Sequence, residues 1–599
     1  MQDRHDNLLT IFYEKSIQEA KRYLETKYLL TTCNAKDEEI LEISRGLPSE
    51  YREFLKIELD GSLRHFTFIL SIPDTFPDTF PKIHLTKKDY EEIYPVPHVD
   101  KNRFVCTRDP DVVSLSDKKS GEALEELLNI AVEILEQGIK KENESHFINE
   151  FLAYWDERVK YCFLNLSVPK DRITYLTVFK LSKDIFGSKY IISDSERYVE
   201  KWLVPFDINI DKSEKIKVLY LPLYEFSPVF FQKDEDVLNI LKSLNNKEYI
   251  QMVENYFNQD RRHHSIISSF LIKDERILFG WQHKGWRGIL FKGFRKNHVP
   301  LSIRLMHTEN NSIKKIKITR LDRERIFKRG GAMTLSVNKD VSIVLIGCGS
   351  LGSYLAMSLS RCGISKFLLI DKDYLAPENT PRHLCGFVDA SRKMKKVEAV
   401  KKRLIEHFPH VECQTHHGDI LQLLQTVKVK LEGYDLMVVA IGNMSVERRL
   451  NYLLRKGLIS YPIVYLWIEP FGVGGHMLYV HPRKGGCYDC CFDENGEFLY
   501  SVVAPKQIFQ KRESGCQSTF LPYSSSDVEC FISIACKKIL QIMEEKVEIS
   551  TLYTWLGDFE DFKKLAYRIR DIYVTDFPYR IIKKKILPQE MCSLCRKNI

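Results

Sequence analysis

Four cysteines in two C-x-x-C pairs, Cys487 with Cys490 and Cys592 with Cys595, have the spacing of a tetrahedral structural zinc site. A shared Zn²⁺ would pin the segment carrying the second pair to the turn carrying the first. Cys491 is adjacent but wrongly spaced, and is expected to be a bystander. A second chemistry is marked by residues 341–352, VSIVLIGCGSLG. An apolar run of strand length flows into Gly347, Gly349 and Gly352, an amphipathic segment with Tyr354, Leu355, Met357 and Leu359 follows, and a second apolar run, KFLLID, ends at Asp371. Glycines at such a turn let the backbone approach phosphates at a helix N-terminus, where unpaired N–H groups and the helix dipole favour negative charge. An acid closing the second strand can bind ribose hydroxyls. A nucleotide site is therefore expected, although the glycine pattern alone does not separate NAD from ATP.

The elements that position these groups belong to a chain of 599 residues, long enough for three or four domains. Apolar content of 44% and charged content of 28% are ordinary for a soluble globular protein. The net charge of +8 is small beside 89 basic and 81 acidic side chains, so no direct nucleic-acid partner is expected. No stretch approaches about 18 uninterrupted apolar residues. The start, MQDRHDNLL, lacks a basic-then-apolar signal pattern, so a cytoplasmic protein without a membrane partner is expected. Fifteen cysteines in such a chain point to metal or thiol chemistry rather than to a disulfide framework.

Residues 1–155 read as one α/β unit: a helix over about 8–28, strands near 54–59 and 66–72, and the proline-punctuated FPDTFPKIHL at 76–85. The irregular YPVPHVDKNRFVC follows and ends at Cys106, and a helix with Leu124, Leu127, Leu128, Ala131 and Leu135 on one face closes the unit. Residues 156–330 read as a mixed, strand-rich linking and positioning domain, from runs such as ITYLTVFKL, KIKVLYLPLY and SIISSFLI. Within it, residues 281–296, WQHKGWRGILFKGFRK, mix aromatic with basic side chains. They read as a basic edge strand with buried aromatics in preference to a nucleic-acid stacking surface.

FPDTFPKI and VDKNRFVC resemble the ubiquitin-conjugating fold, the first matching a strand and its proline corner, the second the segment that ends in the family's catalytic cysteine. The resemblance implies that Cys106 forms a thioester. The family's His-Pro-Asn reads Val96, Pro97, His98 here, and where the Asn helps stabilise an oxyanion, the His98 imidazole would donate a similar hydrogen bond. The alternative is a catalytically dead conjugating fold in which Cys106 is merely packed.

Beyond Asp371 come PENTPRHL and SRKMKKVEAVKKRL. With residues 341–346 they resemble the adenylating domain shared by ubiquitin-activating enzymes and the bacterial sulfur-carrier activators ThiF and MoeB. That implies a Rossmann-like domain over 331–599 using ATP and Mg²⁺. Asp371 would hold the ribose, with Asn379 just downstream, while Arg382 and Lys396 would neutralise the triphosphate as pyrophosphate leaves. One extra residue precedes Lys396 relative to the family. In this family an arginine from the preceding helix reaches the partner subunit's site; Arg323 and Arg325 are the nearest matches, and a homodimer is implied. The family's Thr-Asp-Asn reads Ile441, Gly442, Asn443, so the usual magnesium-organising acid is missing. Mg²⁺ commonly takes one or two protein carboxylates and keeps several waters, and Asp373 is a substitute. Cys516, in ESGCQSTF, occupies the place of the family's catalytic cysteine, where Lys511 and Arg512 would favour a thiolate. Cys530 and Cys536 fall on the following apolar helix and are expected in the core.

The order of parts is similar to the bacterial E2–E1 fusion proteins of CBASS antiphage operons. That resemblance implies adenylation of a protein C-terminal carboxylate, that of a cGAS-like nucleotidyltransferase or a ubiquitin-like protein. Transfer to Cys516, to Cys106 and to a target lysine would follow, priming the cyclase, with a JAB-type peptidase reversing the step. The alternatives are a sulfur-carrier adenylyltransferase, a non-catalytic nucleotide-binding scaffold and, last, an NAD oxidoreductase.

Overall fold

The computed structural model describes all residues except 1, 35, 109–118, 144, 156–158, 160, 225–233, 245, 260–263, 273–274, 287–288, 290, 292–298, 307–311, 331–340, 508, 510, 513–518, 546, 575–576 and 596–599. Two compact units emerge. One comprises Met1–Phe163, Pro169–Leu176 and Lys217–Thr319, the other Leu164–Val168, Thr177–Ile216 and Arg320–Ile599. The strands of the middle segment are thus divided between them.

In the first unit an antiparallel sheet runs in the order β1 (Leu29–Thr32), β2 (Tyr51–Asp60), β3 (His65–Pro73), β4 (Lys82–Leu85), β5 (Phe104–Val105). Its buried face meets the helix Ser120–Ile139, whose Leu124, Leu127, Leu128, Ala131 and Leu135 are all buried, as their 3.6-residue period requires. Each buried leucine contributes about 1.5–3 kcal/mol of transfer free energy. The N-terminal helix Gln2–Glu25 joins the same core through Ala20 and Leu24. Gly121 permits that approach, because a Cβ there would collide with the Tyr23 ring.

The middle segment supplies β6 (Cys162–Asn165), β7 (Thr174–Ile185), β8 (Ser188–Ser193), β9 (Ile210–Pro222), β10 (His264–Ile272), β11 (Glu275–His283) and β12 (Ile313–Arg320). In the first unit β10 lies between the end of β9, parallel to it, and β11, antiparallel, and β12 follows β11. Trp281 is interior there, its indole Nε1 donating to Ser268 Oγ at 2.8 Å, and Trp286 is buried too. Trp281 and Trp286 are buried as expected and Phe291 is half-buried, but residues 281–283 end a strand paired on both sides, by β10 and β12, which corrects the expected edge strand. In the second unit β8 pairs with β7 and with the end of β6.

The rest of the second unit is built on an eight-stranded sheet. Its strands are β13 (Ser342–Ile346), β14 (Lys366–Asp371), β15 (Glu412–His417), β16 (Leu436–Val439), β17 (Ile463–Ile468), β18 (Gly474–Val480), β21 (Thr551–Leu556) and β22 (Ile581–Lys585); a separate ribbon holds β19 (Lys511–Arg512) and β20 (Thr519–Phe520). The order is β15-β14-β13-β16-β17-β18-β21-β22, parallel as far as β17 and antiparallel beyond. Helices cover both faces, so central strands such as LMVV of β16 are buried on every residue. The chain winds from β13 to β14 and β15 on one side and returns to β16 on the other, which opens a crevice at the carboxyl end of β13.

Candidate active sites

The glycine turn lies in that crevice. Gly347 turns the chain with φ +95°, and a Cβ at Gly352 would collide with the Gly347 carbonyl oxygen, so helix Ser350–Arg361 packs against the turn only without one. A Cβ at Gly349, the N-cap, would meet nothing within 4 Å; here the glycine keeps open the approach to the helix N-terminus. Asp371 closes β14 and accepts the Cys348 N–H at 2.6 Å on one oxygen and the Asp373 N–H at 2.8 Å on the other. Each oxygen keeps a further lone pair for a ribose hydroxyl. Cys348 itself is fully buried, and burial pushes its thiol well up, so it is no nucleophile.

Around this cradle stand the expected cations. Lys396 Nζ lies 3.0 Å from Asp373 Oδ2, so the carboxylate expected to substitute in magnesium binding is paired with the lysine expected to meet the triphosphate. Arg382 donates to the Leu521 carbonyl at 3.1 Å, and its guanidinium sits 4.6 Å from the Tyr523 ring centroid. Tyr523 Oη is in turn 3.0 Å from Ser350 Oγ, so this tyrosine lies across the first turn of the helix. The sequence reading missed Tyr523. Asn379 accepts the Ala376 N–H and stabilises its own turn. Gly442 has φ +62° and Asn443 caps helix Met444–Arg455. Arg323 goes elsewhere: its guanidinium holds the Gly363 carbonyl and Ser365 Oγ, just before β14 begins. Asp371 ends that strand, so Arg323 sits about 20 Å from its own chain's cradle. Arg325 follows on the same short helix, Arg323–Phe327.

Cys487, Cys490, Cys592 and Cys595 converge as a buried cluster, all four sulfurs within 4.8 Å of one another. The spacings of 3.9, 3.5 and 3.7 Å bracket the roughly 3.8 Å edge of a tetrahedron with Zn–S bonds of about 2.3 Å. The cluster fits Zn²⁺, whose contribution there would be structural. Its turn is tied to the nucleotide side of the sheet, since Tyr488 Oη donates to Glu447 at 2.6 Å and Tyr488 N–H to Asn451.

Cys516 lies outside the described residues. Its flanks, β19 and β20, pair antiparallel, Lys511 opposite Phe520 and Arg512 opposite Thr519. The approach to them is anchored by Glu469, which accepts the Val502 and Val503 N–H groups at 2.7 and 2.8 Å and pairs with His476 Nε2. Burial raises the Glu469 carboxyl, and His476 with these N–H groups outweighs it, leaving the group below the usual carboxylate range. Helix Ser525–Glu545 buries Cys536 as expected but exposes Cys530, which corrects the expectation that both are core.

In the first unit Cys106 is exposed immediately after β5, and its N–H donates to the His98 carbonyl at 2.8 Å. His98 adopts φ +64°, a left-handed conformation in which Asn, Asp and His are enriched. Its Nδ1 is 2.7 Å from Glu150 Oε1 and its Nε2 2.9 Å from His146 Nδ1. The His98 N–H donates to Tyr154 Oη, which donates to Glu150 Oε2 at 2.7 Å. Burial raises the Glu150 carboxyl, and the His98 and Tyr154 bonds more than reverse this; burial and Glu150 together push the Tyr154 phenol up. A cavity of about 390 Å³ opens here, lined by Cys106, His98, Glu150 and Tyr154 on one side and by Phe151, Ile272 and Ile277 among its apolar walls. Ile272 and Ile277 come from β10 and β11, so the middle segment completes the surroundings of Cys106. Neither they nor residues 146–154 carried a motif, and no signal in the sequence tied them to Cys106.

Two families match this chain: the ThiF family over residues 321–557 and prokaryotic E2 family B over residues 49–164. An adenylyltransferase and sulfurtransferase MOCS3 of Anopheles gambiae is 29% identical over 192 residues, 31% of this chain and 41% of that protein. The ATP-dependent ubiquitin transferase-like protein Cap2 of Pseudomonas aeruginosa is 28% identical over 219 residues, 35% of this chain and 37% of that protein. A Vibrio cholerae protein of the same description is 22% identical over 445 residues, 71% of this chain and 75% of that one. The chain thus spans about two fifths of the length of the first two relatives.

Proposed function

We propose, from the premise that this chain is a fusion of an E2-like domain with a ThiF-type E1-like domain, that it activates a protein carboxylate with ATP and conjugates it to an amine. A carboxylate is a poor acyl donor, and adenylation in the glycine-turn cradle makes it a good one. Asp371 holds the ribose, while Arg382 and Lys396 meet the phosphates. Mg²⁺, when bound there, would shield the phosphate charge, with Asp373 as its candidate carboxylate. Cys516 takes the acyl group as a thioester, Cys106 receives it by exchange, and a lysine amine completes the isopeptide bond. Fusion raises the effective concentration of one cysteine for the other. The observation that carries the reading is the pairing of a nucleotide cradle with an exposed cysteine beside a built cavity. The relatives described as ATP-dependent ubiquitin transferase-like proteins support the conjugating half of this reading. The finer part rests on the order of the parts in the sequence: the acyl donor is the C-terminus of a cGAS-like nucleotidyltransferase or a ubiquitin-like protein in a CBASS operon, a JAB-type peptidase reverses the bond, and the enzyme works as a cytoplasmic homodimer.

The similarity to MOCS3 favours a second reading, sulfur-carrier adenylation, which has no use for Cys106. A non-reducing gel shift with ATP, Mg²⁺ and the protein encoded beside this one separates the two. The relay predicts that Cys516→Ala abolishes every thiol-sensitive adduct, whereas Cys106→Ala leaves the Cys516 adduct and removes amide product. Release of free adenylated carrier, with neither cysteine loaded, would overturn it.

A further inference from the structure

The lining of the cavity beside Cys106 is of two kinds: apolar side chains, among them Phe151, Ile272 and Ile277, and polar ones, Asp100, Asn149 and His98, the last held through Nδ1 by Glu150. His146, exposed, is hydrogen-bonded to His98 Nε2 and does not line the cavity. An apolar wall of this kind takes the methylene stem of a lysine and strips water from its amine, which favours the neutral, nucleophilic form. A carboxylate on Nδ1 fixes the tautomer that leaves Nε2 as the proton acceptor.

We propose that this cavity is the acceptor-lysine site and that His98 is its general base, with Glu150 as the positioning residue and His146 as the exit for the proton. The proposal rests on the reading that Cys106 carries a thioester. In the step, the amine nitrogen attacks the thioester carbonyl. His98 Nε2 exchanges its hydrogen bond with His146 for one with the amine and takes the amine proton as the C–N bond forms. The C–S bond then breaks, its electron pair leaves on the Cys106 sulfur, and the proton passes through His146 to solvent. The oxyanion role expected for His98 gives way to this one, because an Nδ1 committed to Glu150 and a basic Nε2 leave no N–H for the oxyanion. The titratable groups facing His98 are Glu150, Tyr154 and His146 from the segment after helix Ser120–Ile139, and Asp100 and Cys106 from its own segment; Ile272 and Ile277 bring no charge.

The test loads Cys106 by exchange with a glycine-terminated peptide thioester, followed by intact mass, then measures discharge by free L-lysine across pH. Hydroxylamine, nucleophilic without prior loss of a proton, reports in each variant that the thioester is intact. His98→Asn keeps a residue suited to φ +64° and a hydrogen-bond donor but supplies no base. Its lysine discharge is expected to fall about 100-fold and to lose the imidazole step in its pH profile. Glu150→Gln is expected to lower kcat for lysine by a smaller factor at unchanged KM, and Ile277→Ser to raise KM for lysine more than it lowers kcat. A His98→Asn protein that loads and discharges to lysine with the wild-type rate and profile overturns the base and leaves the relay standing. A wild-type Cys106 that never loads overturns both.

Discussion

The nucleotide cradle draws its groups from one strand-turn-helix-strand unit, residues 347–396, with Tyr523 laid across it, whereas the Cys106 cavity draws on residues 98–106, 148–154 and 272–277. In the first, sterics within a few residues decide the geometry: Gly352 faces the Gly347 carbonyl, and Asp371 caps the turn beside it. In the second, three stretches far apart in the sequence have to meet. A phosphate cradle is made of backbone, and backbone is shaped locally. A thiol cavity is made of side chains, and they meet only through packing.

The sharpest way to break this comparison is Gly352→Ala. The added methyl has nowhere to go, so ATP binding by calorimetry is expected to disappear, with overpacking costing roughly 1–3 kcal/mol of stability. Exchange of a peptide thioester onto Cys106 is expected to persist, because that cavity shares no residue with the turn; its loss would show that the two sites depend on one another. Cys592→Ser is expected next. It removes one of four sulfurs from the cluster, so zinc content by elemental analysis should fall from one equivalent toward none and the melting temperature should drop. A zinc-free wild type that melts unchanged would remove the metal from the account.

The smallest effect separates two pairs of strands, β3 with β4 and β17 with β18, by acid. His84 is buried in β4, and burial lowers its pKa from 6.5 to about 3. Between these values the unfolded chain binds a proton that the folded one refuses, so its contribution is full above about pH 6.5 and is lost as pH falls toward 3. Glu469 in the second unit sits below its ordinary 4.5, so its contribution is full above that value and is lost only as pH falls below it. Hydrogen exchange, corrected for its intrinsic pH dependence, is therefore expected to accelerate first around β3 and β4 as pH falls from 6.5 to 4.5, and His84→Leu to flatten that dependence. Equal acceleration around β17 and β18 would erase the distinction.

Much of the chemistry of the second unit was legible in the chain. The glycines, Asp371 and the cysteine pairs were singled out by type and spacing, because each answers a constraint set within a turn or a metal's coordination shell, whereas Arg382 and Lys396 were singled out by the resemblance to the adenylating family. Cys530 shows a limit that closer counting removes. It lies six residues from Cys536, about 240° around the helix, and so leaves the buried stripe of Val528, Phe531, Ile532 and Ala535. Tyr523, Glu150 and His146 show a limit that counting does not remove, since their partners are distant in sequence and carry no periodic signal.

The sequence by itself determined the order of the two matched regions, the strand-turn-helix with its glycines, the metal-competent cysteines and the place of Cys106 at the end of an irregular stretch. Tertiary structure alone decided that Arg323 turns away from its own cradle, that Tyr523 links Arg382 to the helix N-terminus, and that β10 and β11 wall the Cys106 cavity. Backbone conformation is fixed by neighbours along the chain; the surroundings of a side chain are fixed by whichever apolar surfaces the whole fold must bury together.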